Sequence, residues 1–191
     1  TAILAPRFLA SAFASGPSFL ILLLFALKKF GNYDVGKEPI LKLAQIVTYG
    51  MLINVFFVAM EMFTAFYSGS HHHTIPFQYL YVGLDEHKAL VPWMWTSAVM
   101  AIIAIAILVN PKTRNDLKIL PWACVLVFAS IWIDKGMGMV VTGFIPNPVG
   151  HITEYMPTLP EMMISLGIYA FGFLMITVFY KIYLGVRESI V

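Results

Sequence analysis

The sequence predicts an all-α integral membrane protein with five transmembrane helices. Of its 191 residues, 60% are apolar and 12% are charged, and the mean hydropathy is +0.82. A soluble domain carries about 25% charged and 45–50% apolar residues, so a chain of 21.4 kDa could not bury this excess. Lipid must therefore solvate most of the chain, which excludes a soluble enzyme, a nucleic-acid-binding protein and a disordered segment.

Five apolar stretches are long enough to cross the hydrocarbon as helices, which takes about 20 residues. They run over residues 3–27, 40–67, 90–109, 120–144 and 162–184. Their apolar residues are continuous rather than alternating, which favours helices over the strands of a barrel. The second stretch is longer than a perpendicular span, so we expect it to tilt or to extend beyond the bilayer.

The first stretch is rich in small residues, which let neighbouring helices approach closely. Pro17 lies within it and predicts a bend. No internal repeat or low-complexity linker divides the chain, so we expect a single helical domain with the five spans in one bundle. The small residues are Ala10, Ser11, Ala14, Ser15, Gly16 and Ser18.

The positive charges predict the orientation in a cytoplasmic membrane. Lys88 is the one lysine or arginine in the loops on one side of the predicted spans, whereas nine lie on the other. Because cytoplasmic loops carry the excess of positive charge, the N-terminus of this segment is expected outside and the C-terminus in the cytoplasm. The nine are Lys28, Lys29, Lys37, Lys42, Lys112, Arg114, Lys118, Lys181 and Arg187.

Cysteine and histidine usage limits the cofactors. Cys124 is the single cysteine, which excludes a disulfide or a cysteine-ligated iron–sulfur cluster within the chain. All five histidines lie outside the predicted spans, so axial ligands for a transmembrane haem are missing. Redox chemistry would therefore need a mobile carrier such as a quinone, with the metal centres in partner subunits.

Ionisable residues within the spans are few, and each costs about 2.5–3.5 kcal/mol at the bilayer centre. Four spans place them in the same outer third of the membrane. Asn54 lies two helical turns before Glu61 and shares its helix face. Because neighbours on a helix point about 100° apart, Asp134 and Lys135 are expected to pair with other helices, as Arg7–Asp134 and Glu61–Lys135. The set is Arg7, Glu61, Asp134, Lys135 and Glu161.

Two interpretations of these charges stay open. They form either structural ion pairs that hold the bundle together, or a proton path or hydrophilic pocket that enters from the outer face. Glu161 follows Pro160 in the predicted first turn of the fifth helix, so helix capping alone would also explain it.

The two predicted outer segments contain all five histidines. His71, His72 and His73 suggest metal binding, but three consecutive loop residues do not readily converge on one ion, which favours a solvated polar tip. Residues 144–161 contain four prolines and are expected to form a stiff loop that includes His151.

Several stretches resemble the NrfD/polysulphide-reductase family of membrane subunits. Residues 131–150 are IWIDKGMGMVVTGFIPNPVG, and residues 153–161 are TEYMPTLPE. Residues 4–16, LAPRFLASAFASG, resemble the segment that opens the family's second helical half. Residues 77–84 and 90–96, FQYLYVGL and LVPWMWT, resemble the DsrP branch, the membrane subunits of the sulfite-reduction-associated DsrMKJOP complexes.

This resemblance implies a quinone-interacting membrane anchor without haem, beside an extracytoplasmic ferredoxin-like iron–sulfur subunit and cytochrome subunits. It also implies a full protein with two four-helix bundles, of which these spans match the C-terminal half. Four of the five spans are then expected to form an NrfD-type four-helix bundle. Menaquinone is the implied cofactor, with its site mostly in the other half. The implied partner would dock on the proline-rich loop at His151, Glu154 and Tyr155.

The family's second bundle carries buried charges that are regarded as a proton route. By motif position, their counterparts here are Arg7, Glu61, Asp134 and Glu161. The chain is therefore expected to serve a menaquinone-linked complex of sulfur metabolism, without being catalytic alone. A transporter or channel bundle is the alternative, although Pro17 is its single weak helix break, and a purely structural anchor is the third interpretation.

Overall fold

The computed structural model describes residues 3–31, 33–69, 71–84, 87–142 and 157–190. Within these ranges the structure is helical apart from connecting turns and an isolated β-bridge between Leu84 and His87. The helices in chain order are α1 (Leu4–Phe30), α2 (Lys37–Tyr67), α3 (His71–Tyr81), α4 (Val91–Val109), α5 (Pro111–Arg114), α6 (Leu120–Ile133), a π-helix (Asp134–Val141) and α7 (Leu159–Ile190).

Five of these helical segments are long and apolar enough to cross a membrane, which confirms the predicted class. They are α1, α2, α4, α7 and α6 together with the first turns of the π-helix. The predicted spans match them to within a few residues, except that α7 extends past the predicted 162–184 at both ends. The fourth span is also not one regular helix, because its last part from Asp134 is π-helical.

The chain divides into two compact units, residues 1–153 and 154–191. In the first unit, four long helices form a ring in which α1 contacts α2 and α6, and α4 also contacts α2 and α6. This ring is a four-helix bundle. The second unit contains α7, whose N-terminus is capped by Glu161: its carboxylate accepts hydrogen bonds from the Thr158 backbone N–H (2.7 Å) and hydroxyl (2.8 Å).

The bundle core is built from small and branched side chains that interlock between the helices. Many large apolar side chains point outward; Leu9 and Ile102, for example, are 62% and 67% exposed, as expected for a surface solvated by lipid. Arg7 is buried among the α1 residues that face inward. The core residues include Ala14, Ile21, Ala44, Val47, Met51, Ala104, Leu108, Ala123, Cys124 and Val127.

The closest approach of α1 to α2 depends on a glycine. A Cβ at Gly50 would lie 3.0 Å from the Ala14 nitrogen and 3.1 Å from the Phe13 carbonyl. Those are backbone atoms, so they cannot move aside as a flexible side chain would. The small-residue face predicted for the first span therefore meets a matching gap on the second.

The three histidines were expected to form a solvated polar tip on a loop, and the expectation of a loop is wrong. His71–Tyr81 forms α3, which is too short to span a membrane. Its C-terminal residues Tyr79 and Leu80 are 1% and 7% exposed and pack with Met94 and Ile133. Burial of this apolar end against α4 and α6 explains why the segment is helical rather than an open loop.

We predict that Gly50→Val separates α1 from α2. The added side chain overlaps backbone, so the free energy of unfolding should fall by about 1–3 kcal/mol, measured by denaturant titration of the whole subunit in detergent. Gly16→Val on α1 is the control, because a Cβ there meets nothing within 4 Å. Equal losses for both variants would contradict the close approach.

Candidate functional site

One buried cluster of four charged side chains lies at the end of the bundle that α3 covers. We call it the Arg7 cluster: Arg7 on α1, Glu61 on α2, and Asp134 and Lys135 on the π-helix. The side chains of the first three are 7%, 12% and 16% exposed, and that of Lys135 is 13% exposed. Two positive charges face two negative ones, so the cluster has no formal net charge.

The Arg7 guanidinium is the centre of the cluster. Its Nη1 donates to Glu61 Oε2, and its Nη2 donates to Asp134 Oδ1 at 2.7 Å and Oδ2 at 2.9 Å. The forked donor geometry of arginine allows one side chain to satisfy carboxylates from two other helices. The predicted Arg7–Asp134 pair is therefore present.

The predicted Glu61–Lys135 pair is wrong, since no such ion pair occurs among the described residues and Glu61 pairs with Arg7. Lys135 Nζ instead lies 3.2 Å from Asp134 Oδ2, on its own sequence neighbour. It also lies 3.4 Å from Met139 Sδ and 5.2 Å from the Phe8 ring centroid. A π-helical turn holds more residues than an α-helical turn, so consecutive side chains point less far apart around the helix axis. The flexible lysine side chain spans the remaining distance to Asp134.

A cavity of about 440 Å³ opens beside the cluster, and we call it the Arg7 cavity. Thr64 on α2 and Ser68, the residue directly after α2, follow Glu61 on the same side of the helix. Both line the cavity with hydroxyl groups. Thr142 lines it from the end of the π-helix and donates to the Gly138 carbonyl. The sequence did not lead us to predict these hydroxyls, although Thr64 and Ser68 lie three and seven residues after Glu61.

Tyr81 forms part of the wall between this cavity and a second one. Its ring meets Trp95 edge-on at 6.0 Å between centroids, and Trp95 Nε1 donates to the Tyr81 carbonyl at 3.1 Å. Burial, followed by the charge of Asp134, raises the pKa of the Tyr81 phenol above its usual value. The phenol therefore stays protonated at neutral pH.

The second cavity, of about 400 Å³, lies between α2, α4 and α6, and Asn54 lines it. Asn54 and Glu61 thus serve different cavities, although both are on α2. Asp134 and Val58 line both cavities. The second cavity is almost entirely apolar apart from Asn54, Ser97, Ser130 and Asp134, so it is suited to a lipid-soluble ligand.

Glu161 and the residues of the proline-rich loop remain of the predicted positions. Glu161 caps α7 in the second unit. His151, Glu154 and Tyr155 lie outside the described residues. Among the described residues, no group of three or more histidine, cysteine or acidic side chains is placed to hold a metal ion.

We predict that Arg7→Met destabilises the bundle strongly, because it leaves the buried Glu61 carboxylate without a counter-charge and Asp134 with Lys135 alone. Loss of one partner from a buried ion pair costs about 3–5 kcal/mol, so unfolding in denaturant should shift accordingly. Lys28→Met breaks the exposed Lys28–Asp34 pair, whose side chains are 50% and 55% exposed, and should leave unfolding nearly unchanged. A result in which both variants behave alike would show that burial does not govern the Arg7 cluster.

Comparison with known proteins places this chain in a family. The chain matches the NrfD polysulphide reductase family over residues 1–144. It is 24% identical over 206 aligned positions to the Hdr-like menaquinol oxidoreductase integral membrane subunit of Archaeoglobus fulgidus. That alignment covers all of this chain and 51% of the relative, so the chain spans about half the relative's length. No solved structure matches significantly. Because the family match covers most of the chain, the protein belongs to the NrfD family.

Proposed function

We propose that the chain is part of the quinone-interacting membrane subunit of a respiratory redox complex, with menaquinone as the carrier. The observation that carries this proposal is the Arg7 cluster, buried beside a cavity in a chain related to a menaquinol oxidoreductase subunit. Electrons would pass between menaquinone and partner iron–sulfur and cytochrome subunits. The Dsr-like motifs support a complex of sulfur metabolism, with this segment as the C-terminal half of its membrane subunit.

The proton chemistry follows from the positions of the carboxylates. Menaquinol supplies two electrons and two protons when it is oxidised. Glu61 and Asp134 share one guanidinium, so protonation of either carboxylate leaves Arg7 paired with the other. The Arg7 Nε–H has no hydrogen-bond partner among the described residues. Thr64 and Ser68 offer oxygen atoms for water along α2.

The orientation proposed for this function places the α3 end of the bundle outside the cytoplasmic membrane. The lysine-rich connection between α4 and α6 would lie in the cytoplasm. An extracytoplasmic iron–sulfur subunit would then dock near the Arg7 cavity, with the proline-rich segment at His151, Glu154 and Tyr155 as its contact. In this arrangement, the proton-exchanging groups lie close to the electron acceptor.

We expect Glu61→Gln and Asp134→Asn to lower quinol-linked electron transfer in the purified complex by about 100-fold, since proton transfer by a positioned group typically contributes at least that factor. Turnover and proton release per electron are measured together. Asp34→Asn, a carboxylate in the exposed α1–α2 connection, is the matched control and should keep wild-type values.

Subunit content is determined for each of these variants. Assembled complexes with unchanged turnover and proton release in both cluster variants would leave the cluster a structural anchor. Substrate flux in liposomes without a redox partner would favour the transporter interpretation instead.

We predict opposite accessibility for cysteines at the two ends of the bundle. In a Cys124→Ala background, Val82→Cys should react with a membrane-impermeant maleimide added to intact spheroplasts, whereas Asn115→Cys should react after lysis alone. Both positions are exposed in the structure, and the native Cys124 is fully buried. The reverse pattern would invert the proposed orientation.

A further inference from the structure

Three residues line both the Arg7 cavity and the second cavity: Val58, Tyr81 and Asp134. The side chain of Val58 has no polar atom. The Asp134 carboxylate is already engaged, because both of its oxygens accept from Arg7 Nη2, at 2.7 and 2.9 Å, and Lys135 Nζ lies 3.2 Å from Oδ2. Tyr81 is therefore the remaining shared residue with a polar side chain.

The Tyr81 hydroxyl is available for a new hydrogen bond. This hydroxyl makes no hydrogen bond within the described part of the chain. Its oxygen is also not among the enclosed side-chain atoms that lack a partner there, so a small molecule can reach it. A phenol hydroxyl both donates and accepts, and it can therefore take up one proton while it gives up another.

The charges of the Arg7 cluster act on this phenol. Burial is the largest cause that raises the pKa of Tyr81, followed by the charge of Asp134, whereas Arg7 opposes the rise and Glu61 adds to it. These three charged groups belong to the π-helix, α1 and α2, so the phenol lies within electrostatic reach of both carboxylates. It keeps its proton at neutral pH, which a relay through a neutral hydroxyl requires.

Contacts at the end of α3 fix the position of Tyr81. Its ring meets the Trp95 ring edge-on at 6.0 Å, and Trp95 Nε1 donates to the Tyr81 carbonyl at 3.1 Å. The backbone N–H groups of Val82 and Gly83 both donate to the Gln78 carbonyl, at 2.9 and 2.8 Å, so the helix ends directly after Tyr81. A fixed position is what proton transfer between two neighbouring groups needs.

We propose that the Tyr81 hydroxyl relays protons between a carrier bound in the second cavity and the Arg7 cluster. This assignment rests on the proposed function. When the reduced carrier is oxidised, its O–H bond breaks as the proton bonds to the Tyr81 oxygen, and the proton of Tyr81 passes through water to Glu61 or Asp134. Tyr81 remains a neutral phenol, and the electrons go to the partner iron–sulfur subunit.

The relay serves either redox form of the carrier. The two protons of the reduced carrier pass one after the other, and each passage breaks one O–H bond of the carrier. During reduction the same steps run in reverse, and the phenol donates to the carrier oxygen instead of accepting from it.

The test compares Tyr81→Phe with wild type in the complete purified complex. Phenylalanine keeps the ring beside Trp95 and removes the oxygen alone, so the variant should assemble and unfold as wild type does. Its menaquinol-linked turnover is expected to fall by about 100-fold, the lower end of what a positioned proton-transfer group contributes. Tyr67→Phe is the matched control, because Tyr67 is 81% exposed at the end of α2 and lines neither cavity.

A second measurement separates proton transfer from a structural role. Difluorotyrosine incorporated at position 81 has nearly the size of tyrosine, but its phenol is more acidic and loses its proton at lower pH. The alkaline limb of the pH profile of turnover is expected to move to lower pH, because an ionised phenol has no proton to pass on. The same replacement at position 67 should leave the profile unchanged.

The outcomes separate the relay from the proposed function. Wild-type turnover in assembled Tyr81→Phe, or an unchanged pH profile with difluorotyrosine at position 81, would overturn the relay. If Tyr81→Phe keeps wild-type turnover while Glu61→Gln and Asp134→Asn lose it, the relay fails and the proposed function stands. If the wild-type complex does not turn over menaquinol, both fail.

Discussion

The arrangement of the bundle at its α3 end depends on the burial of one guanidinium between two carboxylates. In a low-dielectric surrounding, a charge is tolerated only where opposite charge and hydrogen bonds replace its hydration. Arg7 achieves this with Glu61 and Asp134 at the same time, so it ties α1 to α2 and to the π-helix. Three transmembrane segments therefore meet at the Arg7 guanidinium, and Arg7 also lines the Arg7 cavity.

The π-helix is the local feature that makes this convergence possible. Asp134 begins it, directly after the buried α6, and Gly136 and Gly138 follow within it. Widened helical turns occur often at functional sites, because they re-aim side chains without ending the helix. Here the widened turn allows Asp134 to meet Arg7 and Lys135 together, which extends the charge balance from three groups to four.

Two cavities of different chemistry share a wall at this point. Both linings are mostly apolar, but charged groups and hydroxyls interrupt that of the Arg7 cavity, whereas the second cavity, between α2, α4 and α6, has few polar side chains. Asp134 belongs to both, so a ligand in the apolar cavity and water in the polar one would contact the same carboxylate. For the proposed function, this juxtaposition would link an apolar ligand to protons, with Tyr81 lining both cavities.

Hydropathy and family motifs alone determined the class, the number of spans, the family and four of the five ionisable residues predicted to be buried, because the cost of solvating charge in lipid is local to each residue. The fifth, Glu161, is exposed and caps α7. Tertiary structure decided the pairing of those residues. The helix rotation that directs Glu61 to Arg7, the π-helix that lets Lys135 reach Asp134, and the packing that folds residues 71–81 into α3 all depend on contacts between distant segments. The unpaired oxygen of Asn54 is also a tertiary property, since only the assembled helices remove it from water.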